Sequence, residues 1–372
     1  MSRFRFEVAT AEDDAELRRV LAATPMPGHV SVSYRREPSY FAAAAVSGGF
    51  HQVLVVRDAE AGRIAAFISR SVRSMRVNGQ PEPIGYLSAL RALPQYRSGG
   101  LLARGTAYLR HLHSDGRAKL YLATIAEGND KAISVLTSGR SVLPAFHPAG
   151  QYFGLAVPIS RRRRRVSFSA GETTLAEARP EDLPELLDFL RIWGPRRQFF
   201  PEYGPHDFFH DEATFKDLQP SDVLLARRNG RLVGTIGGWD QHGFKQSIVE
   251  GYGAALQWVS PVYNLWASVR ARPGLPRPGS ELRYLTAAIP VVADDDPEVF
   301  LALARAVLAR AAGGEHQYLM LGLHERDPFL PAARRLGGRT YAGRLYLACW
   351  NDGEELRERV DDRPPYMELG CM

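Results

Sequence analysis

The chain has 372 residues, of which 45% are hydrophobic and 24% charged, values typical of a globular protein and not of a disordered one. Its net charge of +6 mildly favours anionic ligands but does not by itself indicate nucleic-acid binding. No apolar run approaches the roughly 20 residues that span a bilayer, and residues 1–7 lack the apolar core of a signal peptide. Because Cys349 and Cys371 are the only cysteines, we expect no disulfide framework, no metal site and a cytoplasmic location.

Internal repetition predicts two domains of one fold. The pattern Glu-Asp-x-x-Glu-Leu occurs at 12–17 and again at 181–186, and Val-Leu-x-x-Arg occurs at 53–57 and at 223–227. Self-similarity at a constant separation is typical of duplicated units, and this length is natural for two of them. The expected divisions are an N-terminal domain over 1–159, a basic linker over 160–171, a C-terminal domain over 172–352 and a tail over 353–372.

In the first half, the spacing of apolar residues predicts helices and strands in mixed order. The predicted elements are strand 4–10, helix 11–23, helix 36–47, strand 51–57, strand 63–76, strand 82–93, helix 100–114, strand 118–125, helix 129–138 and strand 151–158. Asn78-Gly79 is a strong hairpin signal between two of these strands. The order indicates a mixed α/β (α+β) fold whose sheet is mixed, mostly antiparallel and flanked by helices. The second half repeats it, with a long insertion between its third and fourth strands.

Five consecutive arginines at 161–165 mark the junction of the two halves. Such a run either contacts nucleic acid or acidic lipid or forms a solvated linker that repels itself and stays extended. No interleaved aromatic residues support nucleic-acid binding. We therefore interpret the run as a linker and expect neither nucleic acid nor membrane as a partner.

One stretch carries the strongest functional signal. An apolar run over 84–93 ends at Pro94, passes through a short basic glycine loop and enters a helical pattern at Gly100. The first N–H groups of a helix lack intrahelical partners and the helix dipole favours negative charge there. Glycine lets the backbone approach a phosphate, and Arg97 adds positive charge. The loop is neither a P-loop nor a dinucleotide fingerprint, but it is suited to a phosphate.

The loop resembles the pyrophosphate loop of the GCN5-related N-acetyltransferase family, in which a strand and a proline precede Arg-x-x-Gly-x-(Gly or Ala) and a helix. Pro94, Arg97 and Gly100 match this pattern. Leu102 occupies the place where Gly or Ala is usual, and a leucine there resembles tandem acetyltransferases of the enhanced-intracellular-survival type. The stretch 127–136 resembles the family's later helix start, N-x-x-A-x-x-x-L.

This resemblance implies two tandem acetyltransferase-fold domains, with acetyl-CoA lying where the strands before and after the central helix splay apart. It places backbone groups of Leu90 and Ala92 against the pantetheine arm. Around the pyrophosphate it places the backbone groups of Arg97, Ser98, Gly99, Gly100, Leu101 and Leu102. Asn129 either reaches the pantetheine or caps its helix, two roles that are compatible.

Acetyl transfer to an amine needs a neutral nucleophile, a donor to the thioester oxygen and a proton for the departing thiolate. The resemblance implies the Ala92 N–H as the donor. Glu127 is either the general base, directly or through water, or a solvated loop acid. Ser88 either positions such a water or is a plain strand residue.

The general acid departs from the family pattern, because Thr137 stands where a tyrosine is usual. Ser134 on the same helix or Tyr152 on the next strand is the candidate substitute, unless both are structural and water protonates the thiolate. Arg35 and Arg36 lie in the region that walls the acceptor site of this fold. They either bind a substrate carboxylate or are ordinary surface arginines.

The loop of the second half that corresponds to the glycine loop is acidic, with Asp294, Asp295 and Asp296 in succession. Three carboxylates repel a pyrophosphate, so we predict that the second half keeps the fold and has lost the cofactor. The sequence as a whole predicts an acetyl-CoA-dependent N-acetyltransferase. It would act directly on the amine of a small-molecule or peptide acceptor, since neither cysteine is near the proposed site in sequence. The alternative is a non-catalytic CoA-binding sensor or scaffold.

Overall fold

The computed structural model describes residues 3–97, 100–139, 143–162, 169–170, 172–253 and 263–372. Within these residues, a single 14-stranded sheet runs through both halves of the chain, and a separate two-stranded sheet joins them. Helices pack on this framework, so the fold is mixed α/β as expected. None of the described helices is both long and apolar enough to cross a membrane.

The elements of the first half follow the predicted order, with one additional strand. The strands are β1 (Phe4–Val8), β2 (Val30–Arg35), β3 (Phe50–Asp58), β4 (Arg63–Val77), β5 (Gln80–Ala92), β6 (Leu120–Ala126) and β7 (Ala145–Pro158). The helices are α1 (Asp14–Ala22), α2 (Tyr40–Ala44), α3 (Leu101–His113) and α4 (Asp130–Leu136).

The second half repeats this order after the basic stretch, of which 163–168 lie outside the described residues. The strands are β8 (Ser169–Ala170), β9 (Thr173–Glu177), β10 (Phe200–Pro201), β11 (Val223–Arg228), β12 (Arg231–Asp240), β13 (Gln246–Tyr252), β14 (Tyr284–Val292), β15 (Tyr318–His324) and β16 (Arg339–Cys349). The helices are α5 (Leu183–Trp193), α6 (263–269), α7 (Pro297–Ala311), α8 (Leu330–Arg334) and α9 (Glu354–Arg359).

The repeated sequence patterns form the same contacts in both halves. Arg57 of β3 pairs with Asp13 at 2.6 Å, and Arg227 of β11 pairs with Asp182 at 3.0 Å. In each case the carboxylate precedes a helix and its other oxygen accepts a backbone N–H at the helix start. The repetition read from the sequence therefore corresponds to a repeated local structure.

The two halves exchange their last strands. The sheet order is β1-β3-β4-β5-β6-β16-β7-β15-β14-β12-β11-β9-β8, with β10 paired to β4. Strand β16 lies between β6 and β7, with Gly343 opposite Ala126, while β7 lies between β16 and β15, with Tyr152 opposite His324. The halves predicted as separate domains thus share one sheet.

The predicted helix over 36–47 is shorter than expected. Pro38 disfavours a helical conformation for the residue before it, and α2 begins only at Tyr40, capped by the Ser39 hydroxyl. The residues before it form β2, which pairs with β13 from the insertion of the second half, with Arg35 opposite Gln246.

The tail over 353–372 is packed into the protein. Helix α9 is followed by an extended segment and a 3₁₀ turn at Leu369–Cys371. The side chains of Tyr366, Met367, Glu368 and Cys371 are all buried. Buried polar groups of such a segment need hydrogen-bond partners, so the tail must form hydrogen bonds with the rest of the fold.

Candidate functional site

Strands β5 and β6 separate at the expected place. They pair in parallel only from Ile84 opposite Leu120 to Leu87 opposite Ala123. Beyond that point β5 continues beside β4 as far as Ala92, and β6 continues beside β16 as far as Ala126. The two strands therefore diverge, and we call the space between 88–92 and 124–126 the first gap. A bulge at Ala89, whose φ is 51°, bends β5 where the gap opens.

The backbone of β5 presents a hydrogen-bond donor to this gap. The N–H of Leu93 donates to the Ala65 carbonyl oxygen of β4 at 3.0 Å. Because successive N–H groups of a strand point to opposite edges, the N–H of Ala92 points away from β4. It faces the edge where β6 no longer pairs, which is the position required of a donor to a ligand in the gap.

Two arginines line the same edge. Arg91 Nη1 donates to the Leu90 carbonyl oxygen at 3.1 Å, and Arg97 Nε donates to the Ala92 carbonyl oxygen at 3.1 Å. Burial lowers the pKa of Arg91, and the charges of Arg36 and Arg97 lower it further. The mouth of the first gap is therefore positively charged.

The glycine loop leads directly from this edge into α3. Ser98 and Gly99 lie outside the described residues, and the description resumes at Gly100. Gly100 is the N-cap of α3 with φ 74°, a left-handed conformation that glycine adopts without strain. Chain neighbours apart, no atom of the described residues lies within 4 Å of the position that a Cβ would take. Leu101 is buried and anchors the helix, while Leu102 is half-buried. An anion can thus approach this helix start closely.

Helix α4 begins on the other side of the gap. The Asn129 side chain accepts from the Ala132 N–H at 3.4 Å, so it caps the helix. Glu127 and Ser134 are both exposed, and the Glu127 N–H donates to the carbonyl oxygen of Ala342 in β16. The hydroxyl of Thr137 donates to the Ile133 carbonyl oxygen at 2.7 Å, which commits it to the helix end.

Ser88 and Tyr152 differ sharply in position. Ser88 lies half-buried at the opening of the first gap and shares a face of β5 with Tyr86, whose hydroxyl contacts Thr124 Oγ1 at 3.1 Å. Tyr152 is separated from β6 by the exchanged strand β16, and its buried hydroxyl donates to the Met367 carbonyl oxygen at 2.9 Å. Tyr152 thus lies across β16 from β6, and its hydroxyl is committed to the tail.

The second half contains the equivalent opening, which we call the second gap. Strands β14 and β15 pair only from Tyr284 to Thr286, and a bulge at Ile289, with φ 44°, follows. Here the tail enters. Glu368 Oε2 accepts from the Ile289 N–H at 3.0 Å and from the Tyr366 hydroxyl at 2.5 Å. The edge of the bulge is therefore occupied by the chain itself.

An arginine with its own partners lines the second gap, together with Val291 of β14 and Leu323 of β15. Arg197 is 7% exposed and pairs with Asp295 at 2.7 Å and with Asp327 at 3.4 Å. The helix start is also occupied, because the Asp296 carboxylate accepts from the Glu298 and Val299 N–H groups of α7. Carboxylates of the chain thus stand where a phosphate would have to bind.

The structure also groups potential metal ligands that the sequence spacing did not indicate. Within the described residues, Asp240, His242, Glu315 and His316 form one group and His147, Cys349 and Glu354 another, each with ligand atoms within 4.8 Å. Neither group includes a residue of the first gap. The expectation of no metal stays a prediction.

No family model matches the sequence, and no curated protein matches it. Solved structures do. A GCN5-related N-acetyltransferase from Sphaerobacter thermophilus has a TM-score of 0.60 and 14% identity, with 100% of this chain and 99% of that chain covered. The N-myristoyltransferase of Saccharomyces cerevisiae with bound myristoyl-CoA has a TM-score of 0.60 and 12% identity, with coverages of 94% and 79%.

A third match is the GCN5-related glucosamine N-acetyltransferase region of a fungal multi-domain β-N-acetylglucosaminidase, with a TM-score of 0.57, 14% identity and coverages of 92% and 38%. The protein therefore has the fold of GCN5-related N-acetyltransferases and N-myristoyltransferases. The likeness extends over the whole chain, well beyond the 84–139 stretch in which the sequence motifs occur.

Proposed function

We propose that the protein is an acyl-CoA-dependent N-acyltransferase, that acetyl-CoA is its co-substrate, and that the first half binds it. The observation that carries this proposal is the divergence of β5 and β6 after Leu87 and Ala123, immediately before a left-handed Gly100 at the start of α3. A free strand edge suits an extended pantetheine arm, and the helix start suits a diphosphate.

The contrast between the two gaps supports the choice of half. The first gap has an unpaired strand edge, basic side chains and an unobstructed glycine at the helix start. In the second gap, Glu368 accepts from the strand edge, Arg197 lines the opening in an ion pair with Asp295, and Asp296 caps the helix. Replacing these internal partners by a coenzyme would leave buried charges unpaired, which is strongly unfavourable.

Within the first gap, the geometry supports separate roles for the backbone and the side chains. The Ala92 N–H would donate to the thioester oxygen as that oxygen gains negative charge. Glu127, exposed beside the end of β6, would accept the proton of the acceptor amine directly or through water, with Ser88 positioned to hold that water. Ser134 or solvent would supply the proton for the thiolate. The tyrosine candidate is less suited, because the hydroxyl of Tyr152 is buried and already hydrogen-bonded.

A covalent acetyl-cysteine step is disfavoured by both cysteines. Each is buried and free, and burial raises the pKa of both Cys349 and Cys371 to about 12. Since the thiolate is the nucleophilic form, neither side chain is activated at neutral pH. Direct transfer from the thioester to the amine is the reaction we propose.

The test is the release of free CoA thiol from acetyl-CoA across a panel of amines, including amino sugars, polyamines, amino acids and peptides. We expect turnover with a subset of the panel and none when the amine is omitted. Tight binding of acetyl-CoA without turnover on any amine would instead support a CoA-binding sensor or scaffold. Absence of CoA binding would refute both.

A further inference from the structure

Arg36 is a buried arginine that forms no ion pair with any described residue. It is 9% exposed, and its Nη1 is buried and forms no hydrogen bond within the described part of the chain. The guanidinium of Arg36 lies over the ring of Tyr40, and the ring centroid is 4.6 Å from the guanidinium carbon. A buried charge that is neither paired nor hydrogen-bonded is costly, and native proteins rarely leave one without a reason.

Another buried arginine shows how this chain satisfies such a group. Arg70 is 1% exposed and forms two hydrogen bonds of 2.8 Å with the carboxylate of Asp115, with further bonds to the Tyr121 hydroxyl and the Leu112 carbonyl oxygen. Arg36 has no comparable set. A ligand anion could supply the acceptor that Nη1 of Arg36 lacks among the described residues.

Two basic side chains, His51 and Lys245, lie within electrostatic range of Arg36. Burial, with a smaller contribution from the charge of Arg36, lowers the pKa of His51 to about 4 and that of Lys245 to about 7. This charge also contributes to the lowered pKa of Arg91. Lys245 donates to the Gly370 carbonyl oxygen at 2.6 Å and to an oxygen of Met372 at 3.1 Å, so the tail holds this lysine in place.

Arg36 adjoins the first gap. Arg36 follows β2 at the junction with β13, and Arg91 precedes Ala92, the residue whose N–H faces the gap. The charge of Arg36 also acts on the hydroxyl of Tyr86, which contacts Thr124 where β5 and β6 diverge. An anion held by Arg36 would therefore belong to a molecule that occupies the space beside the thioester.

We propose that Arg36 binds a carboxylate of the acyl acceptor, so that the acceptor is an amine that carries a carboxylate, such as an amino acid or a short peptide. This inference rests on the proposed acyl transfer. The guanidinium fork matches a carboxylate geometrically, and a carboxylate oxygen would supply the acceptor that the buried Nη1 of Arg36 lacks among the described residues.

The first experiment compares matched acceptors by their kcat/KM. Each set contains an amino acid, its amide, the amine that lacks the carboxyl carbon, and the aminophosphonate analogue, with aliphatic and aromatic members. We expect the acids to exceed their amides and amines by about 10- to 100-fold, the range for a hydrogen-bonded charge. Higher values for the amides, the simple amines or the phosphonates would overturn the carboxylate assignment while leaving acyl transfer intact.

The variant Arg36→Gln should abolish this preference, and Arg36→Lys should keep part of it because the charge remains but the fork is lost. The matched control is Arg19→Gln, since Arg19 is an exposed arginine paired with Glu16, and it should keep the full preference. If Arg36→Gln retains the preference for acids, the proposal is wrong.

Two further measurements do not depend on turnover. Calorimetry should detect N-acetyl amino acids more strongly than their amides, a difference that Arg36→Gln removes; equal binding of acid and amide would overturn the inference. Arg36→Gln should also raise the melting temperature of the ligand-free protein, because it removes an uncompensated buried charge. The control Arg70→Gln should lower it, because it leaves Asp115 unpaired. A comparable decrease in melting temperature in both variants would show that Arg36 is structural and would refute the proposal.

Discussion

Substitutions of Gly100 separate backbone strain from charge at the proposed diphosphate site. Gly100 has φ 74°, and an added Cβ would meet no atom within 4 Å among the described residues other than its chain neighbours. A non-glycine residue in this conformation costs about 1–2 kcal/mol, and this strain is common to Gly100→Ala, Gly100→Gln and Gly100→Glu. The glutamate alone adds a negative charge beside the position proposed for the diphosphate.

The size of the charge effect follows from Coulomb's law. Two unit charges about 4 Å apart repel by about 1 kcal/mol in water and by about 4 kcal/mol at the effective dielectric of a protein surface. Relative to Gly100→Gln, Gly100→Glu should therefore weaken CoA binding by roughly fivefold to several hundredfold. The difference should shrink at high salt, where the Debye length falls to about 3 Å at 1 M.

The assay is calorimetric titration with CoA at low and high salt. The control in the second half is Asp294→Asn, because Asp294 is exposed and asparagine tolerates its φ of 54°. This variant should bind CoA as the unmodified protein does. Equal affinities for Gly100→Glu and Gly100→Gln would refute the diphosphate assignment, and a larger loss in Asp294→Asn would show that the halves are reversed.

Three further predictions concern the tail, the buried lysine and the thiols. Glu368→Ala removes the acceptor of the Ile289 N–H and of the buried Tyr366 hydroxyl. The free energy of unfolding measured with denaturant should therefore fall by about 2–4 kcal/mol. The exposed control Glu355→Ala should change it little. Burial lowers the pKa of Lys245 from 10.5 to about 7, so the unfolded chain binds more protons between these values. The free energy of unfolding measured in urea should therefore rise with pH across that window because of Lys245. If Lys245→Met leaves the dependence of this free energy on pH unchanged, the interpretation is wrong. Because burial raises the pKa of both cysteines to about 12, intact-protein mass spectrometry after incubation with acetyl-CoA alone should show no acetyl adduct, and an adduct removed by thiols would indicate a covalent route.

Much of the local structure was readable from the sequence because it depends on local chemistry. The period of apolar residues located most strands and helices. The repeated Glu-Asp-x-x-Glu-Leu pattern marked two helix starts, and its aspartates form equivalent ion pairs with Arg57 and Arg227. Proline and glycine marked the loop before α3, where Gly100 has the left-handed conformation that favours glycine. The divergence of β5 and β6, expected from the resemblance, is present in the structure.

The decisions that involve distant partners were made only by the tertiary structure. A strand's sequence specifies which of its faces is buried, but not which edge it will meet, so the exchange of β7 and β16 could not be read from the chain. For the same reason the tail looked like a plain end, although Glu368 completes the second gap. Whether Arg36 is a surface charge or a buried ligand-binding group depends on the two halves closing over it, and no local pattern records that burial.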